Sequence, residues 1–279
     1  MPQTYSADVS AFLDEDAKSM GGGIVFHPTQ ITLNGQTGKF SVKKWSDEEK
    51  RCGEKIDMTV PDWKGVILHT GYFSERKYRE GATKWYRTRE IADWNDTVEL
   101  VEYQKGAQGK TIGVWSSYAA FKSANTPIDP MTHEPLASPY ELKTVLYIWL
   151  PARKETVKLV IRGSGVSRWF DYERKFIDAF TPEDKPRSMK QVLTGFSSMK
   201  ETNEKSGMEF YSLVLKADGL VDNDTMQGVM SETKRLADWR ESWKSSREVP
   251  VETVIAVEEP TVTVSTVQEE EIPLDQIPF

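Results

Sequence analysis

The last 32 residues, from Glu248 to Phe279, carry eight acids and not one lysine or arginine. A stretch so uniformly charged has nothing to pair with inside itself, and charge blocks of this kind repel collapse. The folded core is therefore expected in residues 1–247. Eight of the chain's 43 acids lie in that end, so the body holds 35 acids against 36 lysines and arginines and is close to neutral, although the whole chain reads −7. The terminal stretch VPVETVIAVEEPTVTVSTVQEEE alternates valine and threonine with glutamate and contains no aromatic residue. It is expected to be an extended, mostly disordered linker over 248–268, with an extra edge strand packed on the body as the alternative, followed by an acidic tip over 269–279.

The body reads as mainly β. Asn34-Gly35 sits between Ile31-Thr32-Leu33 and Lys39-Phe40-Ser41-Val42, a hairpin signal because Asn-Gly supplies positive φ angles for a tight reversal. Further strands are expected at Val66 to His69, Trp85 to Thr88, Thr97 to Tyr103, Thr111 to Trp115, Thr144 to Trp149, Val157 to Arg162 and Phe210 to Leu215. Each is rich in β-branched or aromatic residues. Apolar residues spaced three to four apart predict helices over Trp169 to Phe180 and, more weakly, Thr225 to Lys244. The proline-rich stretch Ser123 to Pro139 predicts a long surface loop. The expected organisation is an N-terminal arm over 1–22, a β-rich domain over 23–220, a helix over 221–247, then linker and tip. No βαβ repetition points to a doubly wound fold.

Several chemistries lack their residues. Cys52, His27, His69 and His133 are isolated, with no paired metal-ligand spacing, and no glycine-rich phosphate loop ending in Lys-Ser or Lys-Thr occurs. No cofactor and no catalytic group is expected. With 38% hydrophobic residues, a mean hydropathy of −0.55 and no apolar run of about 18 residues, no membrane-spanning helix is expected. One cysteine fits a reducing cytoplasm.

Non-specific binding of a single strand needs rings that stack on bases and cations that neutralise phosphates, alternating along one surface. Gly71 to Glu90, GYFSERKYREGATKWYRTRE, interleaves Tyr72, Phe73, Tyr78, Trp85 and Tyr86 with Arg76, Lys77, Arg79, Lys84, Arg87 and Arg89. In its second strand the period of two places Trp85, Arg87 and Arg89 on one face. Arg162 to Lys175, RGSGVSRWFDYERK, offers Arg162, Arg168, Trp169, Arg174 and Lys175, although Trp169 and Tyr172 at helical spacing also suit a core. Trp115 and Tyr118 form a third group.

The chain ends EEEIPLDQIPF. Phe279 offers a ring for an apolar pocket and an α-carboxylate for a neighbouring cation, Pro278 lowers the ordering cost, and Glu269, Glu270, Glu271 and Asp275 suit a basic rim. This acidic run with a terminal Ile277-Pro278-Phe279 resembles the tip of bacterial single-stranded-DNA-binding proteins. The resemblance covers the last dozen residues and the layout of body, linker and tip. It implies an OB-fold-like barrel with insertions, binding to single-stranded DNA, and recruitment of replication, recombination and repair enzymes of helicase, primase and exonuclease type, with self-association as a further expectation. The Val/Thr/Glu linker and the inserted Ile272-Pro273-Leu274 depart from the family pattern and fit a divergent member, of phage or mobile-element type. Two other readings share the tip: a nuclease or other repair enzyme that uses it for recruitment, and an adaptor that captures host replication proteins without touching DNA.

Overall fold

A computed structural model describes residues 28–43, 45–46, 51–52, 56–57, 63–76, 83–104, 109–204 and 206–245. The arm over 1–22, the linker and the tip lie outside these. In chain order the strands are β1 (Thr29–Leu33), β2 (Phe40–Lys43), β3 (Trp45–Ser46), β4 (Arg51–Cys52), β5 (Ile56–Asp57), β6 (Trp63–Arg76), β7 (Lys84–Thr88), β8 (Val98–Gln104) and β9 (Lys110–Trp115). After helix α1 (Tyr118–Ala124) come β10 (Tyr140–Leu150), β11 (Glu155–Ile161), helix α2 (Ser164–Lys175), β12 (Val192–Thr202), β13 (Glu209–Leu220) and helix α3 (Asn223–Ser245).

The fold is mainly β, built on one large mixed sheet in the order β5-β2-β1-β11-β10-β6-β7-β8-β9. Strand β6 is the trunk. One of its edges pairs with β10 over Val66 to Arg76. The other edge is divided: Trp63 to Val66 pairs with β12, whereas Glu75 pairs with Arg87 of β7. A register shift opposite Tyr147 and Ile148 interrupts the β6–β10 ladder between these two halves, and such a bulge bends and twists the strand. The pair β12–β13 thus branches from one half of β6, and β7–β8–β9 from the other. The sheet is open. The closed barrel expected from the sequence is not formed, because β11 is followed by the parallel strand β1 rather than by β13.

Alternation along these strands sorts side chains into two cores. On one face, Ile67, Tyr72, Leu146, Ile148, Leu159 and Phe196 pack with Val166, Trp169 and Tyr172 of α2. On the other face, Val66, Leu68, Val145, Tyr147 and Trp149 pack under Met226, Val229 and Leu236 of α3. The spacing of three to four that predicted each helix is what places these residues on one side of it. Trp63 lies flat on Phe196 at 4.1 Å between centroids and 8° between planes, so it belongs to the core.

The sequence located most strands, but β12 was not among them. Its Val192, Thr194 and Phe196 face inward, while Gly195, Ser197, Ser198 and Lys200 dilute the β signal. The β1–β2 hairpin forms as expected, with a different turn. Asn34 O accepts from Gly38 N–H at 2.9 Å and its side-chain Oδ1 accepts from Gln36 N–H at 2.9 Å. The left-handed residue is Gly38, at φ 71°, not Asn34 or Gly35. A side chain at Gly38 would run into the ring of Tyr211. Glycine there lets the hairpin dock on β13, where Tyr211 N–H donates to Gly35 O at 2.7 Å.

Candidate nucleic-acid interface

The register of β7 on β8 sets Trp85 opposite Tyr103, Tyr86 opposite Glu102 and Arg87 opposite Val101. Cross-strand partners share a face, so Trp85, Arg87, Val101 and Tyr103 lie on one side of this sub-sheet. Arg89 follows on the same side: its backbone N–H donates to Glu99 O at 2.8 Å and its Nε pairs with the Glu99 carboxylate at 2.6 Å. The Trp85 and Tyr103 rings stack at 5.7 Å and 11°. Trp85 is 38% exposed. Beside the stack, the Arg87 guanidinium lies 3.7 Å over the buried Phe73 ring, with Lys143 Nζ 6.0 Å from the same ring. Lys143 is also paired with Glu75. The result is a rigid row of ring, guanidinium and ammonium on one strand-built surface. Tyr103 and Lys143 joined it only through cross-strand pairing, which no single segment of sequence reveals.

The opposite side of the sub-sheet is less suited to the task. Arg76 is exposed and lies 5.5 Å over the Tyr86 ring. Lys84 pairs with Glu102 at 2.8 Å, which lowers the Glu102 carboxyl below its usual range and raises the lysine.

Other candidates are corrected. Tyr72 is only 5% exposed and stacks on Trp94 at 4.3 Å, so no base can reach it; burial pushes its phenol up to about 12. Trp169 is fully buried, at 0%, beneath its own helix. Of the Arg162 to Lys175 group, Arg162, Arg168, Arg174 and Lys175 stay exposed, while Arg168 pairs with Glu201 and Arg174 with Asp171 at 2.6 Å. Arg168, Arg174 and Lys175 lie on α2, and Arg162 just before it; α2 covers the sheet face of Ile67 and Tyr72, whereas Trp85 and Arg87 share the face of Phe73. The two groups do not merge into one site. Trp115 and Tyr118 are half-buried: Trp115 meets Phe121 edge-on at 5.2 Å, and Tyr118 shares a hydrogen bond with Ser74 at 2.9 Å between hydroxyls. Lys77, Tyr78 and Arg79, and the tip residues Glu269, Glu270, Glu271, Asp275, Ile277, Pro278 and Phe279, lie outside the described residues.

Alongside the row, Glu90 lies across the sheet where Gly71 has no side chain to block it, accepting from Tyr147 Oη at 3.0 Å and Lys158 Nζ at 3.4 Å. Burial and this carboxylate push the Tyr147 phenol well above its ordinary value. The cluster is held together by its own bonds, and we assign it a structural role. Among the described residues no group of three or more histidines, cysteines, aspartates or glutamates is placed to hold a metal, and no helix is long and apolar enough to cross a membrane. Comparison with models of known protein families, with curated proteins and with solved structures finds no match for this chain.

Proposed function

We propose that the chain binds single-stranded DNA without strong sequence preference and recruits replication, recombination and repair proteins through its C-terminal tip. The observation that carries the first half is the exposed Trp85 ring stacked on half-buried Tyr103, with Arg87 on the same face. An exposed ring can extend its stack onto a base, and every base has such a surface, so the contact tolerates any sequence. The neighbouring cations supply phosphate neutralisation.

The connectivity supports this reading. Strands β6, β10 and β11, then α2, then β12 and β13 follow one another, with β6 pairing both β10 and β12. We read this order as similar to that of an OB-fold, with a long shared first strand, a helix between the third and fourth strands, and a fifth strand hairpinned to the fourth. Here it would be opened at the seam where β1 takes the place beside β11. In such folds the loop between the first two strands helps to bind single strands. The β7–β9 insertion occupies that loop. The second half of the proposal rests on the sequence of the tip, whose ring, carboxylate and preceding acids suit a docking peptide.

Titration of the whole protein against oligo-dT and against duplex DNA tests the first half. Preference for oligo-dT is expected, with affinity falling as salt rises through counterion release. Equal affinity for duplex overturns it. For the second half, deletion of Ile277 to Phe279 is expected to abolish capture of replication and repair enzymes while leaving oligo-dT binding in place; capture that survives the deletion sinks the recruiting role.

A further inference from the structure

From β2 to β8 every strand of the main path has a strand on both sides, whereas β9 pairs with β8 alone. Among the described residues no other strand and no turn hydrogen bond meets its outer edge. Unpaired N–H and C=O groups along an edge are a template for another strand, and proteins usually blunt them with proline, lysine, a bulge or a covering segment. On β9 these defences are thin. KTIGVW has no proline, and its one charge, Lys110, stands at the end. Ile112 and Val114 are 47% and 60% exposed. A bulge at Ile112 raises the twist of this edge.

We infer that a second copy of this chain pairs with this edge, β9 against β9 in antiparallel sense, about a two-fold axis at Gly113. The strand suits a copy of itself. Pairing about Gly113 brings Val114 of each copy beside Ile112 of the other, and β-branched cross-strand neighbours favour a ladder. The two Lys110 side chains end six residues apart along the seam, about 20 Å, which is beyond the reach of their repulsion in salt. The axis gives the facing strand the same bulge and the same twist. It also uses up both edges, so assembly closes at the dimer instead of running on as a fibre.

A two-fold axis through an antiparallel pair stands perpendicular to the sheet, so both copies turn the same face the same way. Val114 lies opposite Glu99, on the side that carries Trp85, Arg87 and Tyr103. The joined strands then present two Trp85–Tyr103 stacks on one surface. They lie five strand spacings apart, about 24 Å. At about 3.4 Å per nucleotide, roughly 7 nucleotides span that distance. A six-residue edge buries far less than the ~1,200 Å² of a lasting interface. The pairing is therefore reversible, and a DNA strand held by both rows strengthens it. This consequence rests on the single-strand reading above, while the pairing itself does not.

Sedimentation of the whole protein at rising concentration, without DNA, tests the pairing. The parent is expected to pass from monomer to dimer below about 1 mM. Ile112→Asn combined with Val114→Asn changes two exposed side chains without adding charge. It is expected to leave the thermal melt unchanged and to keep the chain monomeric. Met131→Asn, at an exposed apolar residue of the loop before β10, is expected to leave the dimer intact. A parent that stays monomeric overturns the inference; if its β9 amides are then protected from hydrogen exchange, another segment of this chain covers the edge. A dimer that survives the double substitution, or one lost equally in Met131→Asn, also overturns it, because association then uses another surface. Oligo-dT gives a separate readout. A strand several times longer than the span is expected to bind the parent about a hundredfold tighter than the double variant, and a strand too short to span it to bind both alike. Equal binding of the long strand, with the dimer present, overturns the shared surface. If the dimer forms as expected and no oligo-dT binds, the pairing stands and the single-strand reading falls.

Discussion

Strand β7 and helix α2 look alike as sequence: KWYRTR and SRWFDYERK both interleave rings with cations. They end in opposite roles. On β7 the period of two puts Trp85 and Arg87 on the same side, and pairing with β8 brings Tyr103 under the Trp85 ring. On α2 the period of 3.6 separates the two residue types. Trp169 and Tyr172 turn inward with Val166, while Arg168, Arg174 and Lys175 are left outside. A ring and a cation can serve one ligand only where they share a surface. Composition is therefore a poor guide to a stacking site, and the period of the element that carries it is a better one.

The sharpest way to break this comparison is to remove one tryptophan from each region. Trp169→Ala deletes a fully buried indole from the centre of a core, and truncations of this kind cost about 3–5 kcal/mol. For a domain of this size that corresponds to a Tm lower by roughly 10 °C, seen in a thermal melt followed by circular dichroism. Trp85→Ala removes a ring that is 38% exposed and is expected to leave the melt almost unchanged. Equal losses from the two substitutions would mean that Trp85 is a core residue like Trp169, and the comparison would fail.

The second effect is smaller and concerns binding. Stacking on an aromatic side chain contributes about 1–3 kcal/mol per base. Trp85→Ala is therefore expected to weaken oligo-dT binding about tenfold, and Trp85→Phe to restore most of it. Tryptophan emission should be quenched when the parent binds. Affinity that is indifferent to Trp85→Ala would remove the β7–β9 surface from the proposed site.

What the sequence made legible follows the same physics. The β-rich body, both long helices and the shared face of Trp85, Arg87 and Arg89 were readable because each depends on a period within one segment. The Tyr103 partner, the Lys143 ammonium beside Phe73 and the division of β6 between two branches were not, because they depend on which strand lies beside which. Tyr72 illustrates the limit. Its sequence neighbours, Phe73 and Arg76, resemble those of a stacking residue, but it points to the side of the sheet that α2 covers. Strand β12 escaped for a different reason: Val192, Thr194 and Phe196 face inward, but Gly195, Ser197, Ser198, Lys200 and Glu201 read as loop.

The smallest expected effect probes the polar fringe of the α2 core. Glu173 lies on the same helix as Trp169 and is partly buried, which holds its carboxyl above the usual range, partly offset by a hydrogen bond from Tyr72. A raised carboxyl means that the folded state binds its proton more tightly than the unfolded chain does. The resulting stabilisation is fully present below the unfolded value, about 4.3 for glutamate. It is lost as the pH rises through the folded value, and at neutral pH the ionised group is a net cost. Glu173→Gln keeps the shape and removes the charge. It is expected to raise the Tm by roughly 1–3 °C at pH 7 and to give no gain at pH 4, where the parent is already protonated. Tyr72→Phe removes the hydrogen bond that favours the ionised form, so the parent's loss of stability between those pH values should become larger. Thermal melts of the three proteins across that interval decide it. If Glu173→Gln gave the same gain at both pH values, its effect would come from packing rather than charge, and the inner side of α2 would be as indifferent to ionisation as its solvent side.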